Sequence, residues 1–152
     1  MELVCHYPDV ECEGLRRALA QAEGVPMESI ICGNGAADLI FGLVLALKPA
    51  KALLPAPTFA EYEQALTACG CETEYYFLSE EEGFRPGEEF LDHIGKDTDM
   101  VFFCNPNNPT GVAAEPEYLK KLAQRCRDTG TFLVLDECFE DFLEEAEKYS
   151  MK

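Results

Sequence analysis

The hydrophobic positions along the chain change spacing from segment to segment. Apolar residues recur at helical spacing in three segments, residues 15–22, 36–47 and 115–128. Four shorter segments predict strands: residues 52–54, 72–78, 100–104 and 132–135. Continuous apolar strands that alternate with helices are typical of a parallel sheet covered on both faces. The pattern therefore predicts an α/β fold, a three-layer sandwich with a mainly parallel sheet.

Local signals place the remaining elements. Thr58, with Glu61 three residues later, has the spacing of a capping box and predicts a helix that runs to Cys69. Shorter helices are predicted over residues 88–94 and 137–149, and a short extended stretch at residues 30–31. Gly24, Gly70 and Gly130 follow predicted helices, where glycine commonly ends them.

The charge balance excludes some classes of partner. The chain of 152 residues, one domain by length, has 29 acidic and 12 basic residues, a formal net charge of -17. Nucleic acids and anionic membranes require a positive surface, so neither is an expected partner. No apolar run reaches the about 18 residues of a membrane span. Residues 1–5 lack the basic start and apolar stretch of a secretory signal.

The eight cysteines do not form a pattern typical of a metal site or a disulfide framework. They include no C-x-x-C pair, and several, such as Cys104, lie in apolar runs where a thiol packs as a small hydrophobe. The two histidines, His6 and His93, are far apart, which argues against zinc. We therefore expect no metal site and a reduced, cytoplasmic protein.

Four segments have compositions that suggest a binding site, and two of them, residues 33–38 and 55–59, lie in the first half of the chain, each after an extended stretch. In open α/β sheets, ligands bind beyond the carboxyl ends of the strands. Residues 33–38, Gly-Asn-Gly-Ala-Ala-Asp, can offer helix-start amides to a phosphate, although on their own they are better explained by a plain turn before a helix. They match neither a dinucleotide motif nor a P-loop. Phe59 follows the strand at residues 52–54 and can either stack on a flat ligand or staple its helix to the sheet.

The other two segments follow later strands. Residues 104–111, Cys-Asn-Pro-Asn-Asn-Pro-Thr-Gly, combine two prolines, which fix the backbone, with three amide side chains. Such a constrained loop favours a role in positioning a ligand. Asp136 ends the strand at residues 132–135 and needs a partner there. It can cap the helix predicted to follow, or pair with a cationic nitrogen of a ligand.

Together these four segments resemble fold-type-I enzymes that depend on pyridoxal 5'-phosphate (PLP). Within that aspartate-aminotransferase superfamily they resemble the histidinol-phosphate aminotransferase group. The combination of Asn-Pro-Asn-Asn-Pro-Thr-Gly with an apolar strand that ends in Asp-Glu is the specific part, and Gly-Asn-Gly-Ala adds to it. The resemblance covers residues 7–142 and implies that the chain is part of the PLP-binding large domain.

The resemblance implies a role for each of seven residues. Backbone amides at Gly35, Ala36 and Ala37 would bind the PLP phosphate, and Tyr7 would reach the phosphate of the neighbouring subunit's cofactor in a homodimer. The other three would bind the pyridine ring. Phe59 would stack on it, Asn108 would donate to its hydroxyl oxygen, and Asp136, the catalytic residue of this set, would face its nitrogen.

Two departures from the family pattern matter. Phe139 stands where many relatives have a tyrosine that donates to the ring oxygen. The lysine that would hold PLP covalently belongs to a Ser-x-x-Lys segment well beyond Asp136, and the arginines for the phosphate and the substrate carboxylate are also expected there. Lys148 and Lys152 lie too near Asp136 and lack the flanking pattern. We therefore expect a truncated large domain over residues 1–152 that is inactive alone.

Two activities within the group fit this resemblance best, and another class I/II aminotransferase remains an alternative. The segments around Phe59, Asn108 and Phe139 look more like an L-threonine-O-3-phosphate decarboxylase of cobalamin biosynthesis than a histidinol-phosphate aminotransferase. Both act on phosphorylated amino compounds with PLP. A non-catalytic module that binds PLP or phosphate is the alternative from a different class.

Overall fold

A computed structural model of the protein describes residues 7–151, apart from the side chain of residue 147. The predictions for residues 1–5, His6 and Lys152 lie outside this part of the chain. The structure divides into two compact units, residues 7–39 and 40–151, which are described separately.

The second unit contains four parallel strands: β1 (Lys51–Ala56), β2 (Glu72–Phe77), β3 (Met100–Cys104) and β4 (Phe132–Asp136). Their order in the sheet is β2-β1-β3-β4. Parallel pairing joins Lys51 to Glu72 and runs on to Ala56 and Phe77. The pairing of β3 with β4 ends with Cys104 opposite Asp136. The predicted α/β class and the parallel sheet are confirmed.

The helices confirm most of the predicted boundaries. Five α-helices form: α1 (Glu13–Glu23), α2 (Ala36–Leu47), α3 (Ala60–Ala68), α4 (Glu88–Asp92) and α5 (Pro116–Thr129). Three short 3-10 turns lie at Met27–Ser29, Glu140–Phe142 and Ala146–Lys148. Gly24 and Gly130 end α1 and α5 in the left-handed conformation, as glycine allows without steric cost.

All five residues of strand β3 are buried. Since successive side chains of a strand point to opposite faces of the sheet, β3 is covered on both faces. Val101 and Phe103 pack with Phe90 of α4 and Leu119 of α5. On the other face, Phe102 stacks on Tyr62 of α3, with ring centroids 4.7 Å apart. Helices therefore cover both sides of the sheet, which gives the three layers expected from the sequence.

The prediction of a helix over residues 137–149 is wrong. Two 3-10 turns replace it, and the Glu137 carboxylate accepts hydrogen bonds from the Ser150 hydroxyl and the Met151 amide. A continuous helix would place like charges four residues apart at 137/141, 140/144 and 141/145, where they repel each other.

The predicted stretch at residues 30–31 is extended at Ile30 but forms no strand. Ile31 is 80% exposed. Among residues 7–151, every cysteine is free and no cluster of side chains could hold a metal ion. None of the helices in this range has the length and apolar composition needed to cross a bilayer.

Two phenylalanines test whether the core between the sheet, α4 and α5 carries the stability. Phe90 is fully buried there, whereas Phe77 at the end of the edge strand β2 is 79% exposed. We expect Phe90→Ala to lower the free energy of unfolding by about 3–5 kcal/mol, because it leaves a cavity. Phe77→Ala should change it by less than about 0.5 kcal/mol. Urea denaturation measures both, and equal losses would contradict this description of the core.

Candidate active site

The carboxyl ends of β3 and β4 meet at one edge of the sheet. Cys104, the last residue of β3, lies opposite Asp136, the last residue of β4. The next amide, that of Asn105, donates to the Asp136 carbonyl oxygen at 2.8 Å. The asparagine loop (residues 105–111) and the Asp136 carboxylate therefore start from adjacent points, at the edge where open α/β sheets bind ligands.

The Asp136 carboxylate is held by donors on both of its oxygens. Oδ2 accepts a hydrogen bond from the Tyr62 hydroxyl at 2.6 Å. Oδ1 accepts one from the Cys138 amide at 3.0 Å, which makes a turn directly after β4. Asp136 therefore caps a local turn, one of the two roles considered from the sequence, although no α-helix follows.

Tyr62 links Asp136 to Phe59, and it is not among the residues predicted from the sequence. Its side chain is fully buried, and its ring packs edge-on against Phe59 with centroids 5.6 Å apart. Phe59 and Tyr62 are three residues apart at the start of α3, a spacing that places them on one helix face. That spacing, just after the carboxyl end of β1, is the signal that could have found Tyr62.

Two thiols lie beside the same carboxylate. The Cys104 thiol donates to the Pro106 carbonyl oxygen at 3.2 Å, and burial raises its pKa. Burial, followed by a hydrogen bond to Asp136, raises the pKa of Cys138 to about 12. Both thiols therefore stay protonated at neutral pH and act as weak donors or apolar neighbours, not as nucleophiles.

Asn107 is the residue that anchors the asparagine loop. Its side-chain amide donates to the Pro57 carbonyl oxygen and to the Thr110 hydroxyl, each at 2.9 Å. Its oxygen accepts from the Thr58 hydroxyl at 3.1 Å. The predicted capping box is therefore wrong: Thr58 binds this loop, and α3 begins after Phe59 without a side-chain cap.

The other two asparagines have different surroundings. The Asn105 side chain is buried, and its oxygen accepts from the Ala114 amide at 2.8 Å. The Asn108 side chain is half-buried and makes no hydrogen bond to any residue in the described range. It lines a cavity of about 350 Å³ with Phe139, Phe142 and Leu143. Asn108 thus has its donors free, beside an apolar cavity.

The remaining predicted site residues lie in the first unit. Gly35 has φ +88° and precedes Ala36, the first residue of α2, so the chain turns sharply where glycine is favoured. The amides of the first helical turn have no acceptor within the helix. The Asp38 carboxylate accepts from the Asn34 amide at 2.9 Å, which braces this turn. Tyr7 is 99% exposed, and its role toward a neighbouring subunit stays a prediction.

The groups around Asp136 suit a flat, positively charged heterocycle. A carboxylate accepts two hydrogen bonds at each oxygen, so Asp136 keeps acceptor capacity beyond its two partners. The Phe59 ring is half-buried and contacts Tyr62, the donor to Asp136. Asn108 belongs to the asparagine loop that begins beside Asp136, and it lines a cavity with Phe139, Phe142 and Leu143.

Comparison with known families decides the affiliation of the chain. The family model "Aminotransferase class I and II" matches residues 4–151. The chain belongs to this family.

Two kinds of relative within this family are similar to the chain in sequence. A threonine-phosphate decarboxylase of Salmonella typhimurium is 38% identical over 143 residues, which is 94% of this chain and 39% of the relative. A histidinol-phosphate aminotransferase of Rubrobacter xylanophilus is 32% identical over 139 residues, 90% of this chain and 39% of the relative. The chain thus spans about two fifths of the length of these relatives.

A solved structure shows the same fold. The L-threonine-O-3-phosphate decarboxylase of Porphyromonas gingivalis superposes with a TM-score of 0.76 at 28% identity. The superposition covers 91% of this chain and 40% of that structure. The resemblance stated from the sequence is therefore confirmed at the level of family and fold.

The two neighbouring asparagines should respond differently to substitution. Asn107→Ala removes three side-chain hydrogen bonds. We expect it to lower the free energy of unfolding by about 2 kcal/mol. Asn108→Ala removes none within the described range and should change that free energy by less than about 0.5 kcal/mol. Urea denaturation of both variants checks this, and a large loss for Asn108→Ala would show that its amide is a structural contact.

Proposed function

We propose that this chain is the PLP-binding part of an enzyme that acts on a phosphorylated amino acid. The observation that carries the proposal is the Asp136 carboxylate, fixed by Tyr62 and the Cys138 amide at the strand ends beside the asparagine loop. The residues fit the cofactor: an acceptor-only group suits a protonated pyridine nitrogen, and the free Asn108 amide suits the ring oxygen. PLP, when bound, supplies an electron sink for the bond that breaks in the substrate.

Each residue has a role in holding that ring. Asp136 keeps a proton on the pyridine nitrogen, because a nearby negative charge favours the protonated form. Asn108 donates to the ring hydroxyl oxygen, and Phe59 holds the plane of the ring. The amides at Gly35, Ala36 and Ala37 bind the phosphate, where the positive end of helix α2 attracts an anion. Tyr7 would serve the partner's phosphate in a homodimer.

The likeness in sequence favours L-threonine-O-3-phosphate as the substrate and decarboxylation as the reaction. The Salmonella typhimurium threonine-phosphate decarboxylase is 38% identical to the chain, against 32% for the histidinol-phosphate aminotransferase. Phe139 supports the same choice. It stands where many relatives have a tyrosine that donates to the ring oxygen, and the segment around it looks more like the decarboxylase than the aminotransferase. With this assignment, the enzyme would act in cobalamin biosynthesis and would be located in the cytoplasm. Histidinol-phosphate aminotransferase is the second candidate, supported by the Rubrobacter xylanophilus relative.

The chain by itself is proposed to be a truncated large domain without turnover. Lys148 is a poor substitute for the missing lysine, because its amine is paired with Glu145 at 2.9 Å. That hydrogen bond raises the pKa of Lys148, whereas attack on an aldehyde requires a neutral amine.

The first prediction from this proposal concerns the 152-residue chain. Incubated with PLP, it should bind the cofactor weakly and without a covalent bond. Borohydride reduction followed by peptide mass spectrometry should find no single lysine modified in stoichiometric amount. Complete modification of Lys148 would contradict the assignment of the reactive lysine to a segment beyond residue 152.

The second prediction concerns the reaction. The gene is sequenced beyond the codon for Lys152, and the complete reading frame is expressed. An encoded Ser-x-x-Lys segment and carbon dioxide release from L-threonine O-3-phosphate are expected. Asp136→Asn should lower the rate about 10- to 1000-fold, since an opposite charge shifts a neighbouring pKa by about 1–3 units. Amino transfer from histidinol phosphate to a 2-oxo acid, without carbon dioxide release, would favour the aminotransferase, and a stop codon at this point would favour a non-catalytic module.

A further inference from the structure

We propose that Tyr62 is a positioning residue, whose hydroxyl fixes the Asp136 carboxylate in the orientation that receives the pyridine nitrogen of PLP. This inference rests on the proposed function and deepens it. Tyr62 does not itself contact the ring in this assignment; it acts through Asp136.

The Tyr62 ring is held on two sides. It stacks on Phe102 of β3, with an interplanar angle of 14°, and meets Phe59 edge-on at 85°. The side chain is fully buried, so its rotamer is set by packing before any ligand arrives. A hydroxyl on so constrained a ring has a fixed position, and the position places it 2.6 Å from Asp136 Oδ2.

The two donors on Asp136 set the plane of its carboxylate. The Cys138 amide binds Oδ1 and the Tyr62 hydroxyl binds Oδ2. With one donor alone, the carboxylate could turn about its Cβ–Cγ bond, since terminal torsions of this kind are soft. With both donors in place, the acceptor capacity left on each oxygen has a defined direction. A ring N–H that approaches along it finds the carboxylate already oriented, at no further cost in entropy.

Tyr62 supplies a hydrogen bond and keeps its proton. Burial, followed by the hydrogen bond to Asp136, raises the pKa of Tyr62 well above its ordinary value. The other titratable groups beside the carboxylate are the thiols of Cys104 and Cys138, whose pKa values are also raised. At neutral pH all three are uncharged donors around one carboxylate. Because these three groups are uncharged, they do not neutralise the carboxylate of Asp136, which stays available to pair with a positively charged ligand.

The matched control for Tyr62→Phe is Tyr118→Phe. Tyr118 is also a largely buried tyrosine, and its hydroxyl donates to the Gly87 carbonyl oxygen at 3.0 Å, in a different part of the core. Each substitution keeps the ring and removes one hydroxyl, so each should lose the stability of one hydrogen bond in urea, with the larger loss for Tyr62→Phe because its acceptor is charged. Only Tyr62→Phe removes a donor from Asp136. A difference between the two variants toward PLP therefore reports on positioning, not on general stability.

The experiment measures PLP binding and the protonation of its ring nitrogen. The parent chain and both variants are titrated with PLP by absorbance to obtain Kd. Nitrogen NMR of PLP labelled in the pyridine ring then gives the protonated share at neutral pH. For Tyr62→Phe we expect binding to weaken about tenfold, the size of one hydrogen bond to a charged group, and the protonated share to fall. Tyr118→Phe should keep the parent's Kd within about twofold, as expected of a substitution far from the ligand.

Each outcome decides the proposal. If Tyr62→Phe matches Tyr118→Phe in both measurements, the positioning role is overturned while the proposed function stands. If the parent chain shows no saturable PLP binding, the proposed function fails and this inference fails with it. If Tyr62→Phe does not fold, Tyr62→His takes its place, because an imidazole N–H can donate to the same oxygen. Tyr62→Leu, which has no donor, is measured beside it. A parental ring-nitrogen signal in Tyr62→His together with a reduced one in Tyr62→Leu supports the role, and equal signals in the two variants overturn it.

Discussion

The parallel pairing of β3 with β4 is the constraint on which the candidate site depends. Its register places Cys104 opposite Asp136, so the asparagine loop and the carboxylate leave the sheet side by side. The hydrogen bond from the Asn105 amide to the Asp136 carbonyl oxygen extends this pairing into the loop. A register shift of one residue would turn the Asp136 side chain to the other face of the sheet, away from Tyr62. The hydrophobic strands therefore set the geometry of the polar site.

Much of this arrangement could be predicted from the sequence, because the responsible signals are local. The apolar run at residues 100–104 is long enough for one buried strand and too short for a helix. Pro116 and Gly130 bracket α5 at positions that each residue type favours at helix ends. The helix predicted over residues 137–149 is wrong for the complementary reason. Its apolar spacing is sound, but repulsion among its carboxylates and the contacts of Glu137 with residues 150–151 outweigh it.

The parts of the site that the sequence did not reveal depend on long-range contacts. Local sequence does not show which of the two asparagines anchors the loop: within the described residues, the Asn107 side chain makes three hydrogen bonds and the Asn108 side chain makes none. The Asn107 side chain is held because Pro57 and Thr58, about fifty positions earlier, form hydrogen bonds with it. Thr58 shows the same effect: a good local capping signal gives way to a tertiary hydrogen bond. Tyr62 and Asp136 are 74 residues apart, and only the folded sheet brings them together.

The chemistry of these long-range partners suits the proposed ligand, whose ring nitrogen carries a positive charge. Within the described residues, Asp136 forms no ion pair; a tyrosine hydroxyl, a backbone amide and a thiol surround it. A lysine or arginine at the same place would neutralise the carboxylate and compete with a protonated ring. Neutral donors stabilise the anion through their dipoles and leave its charge unbalanced. In the proposed site, the attraction for a cationic heterocycle would therefore come from Asp136, and Tyr62 would direct it without a charge of its own.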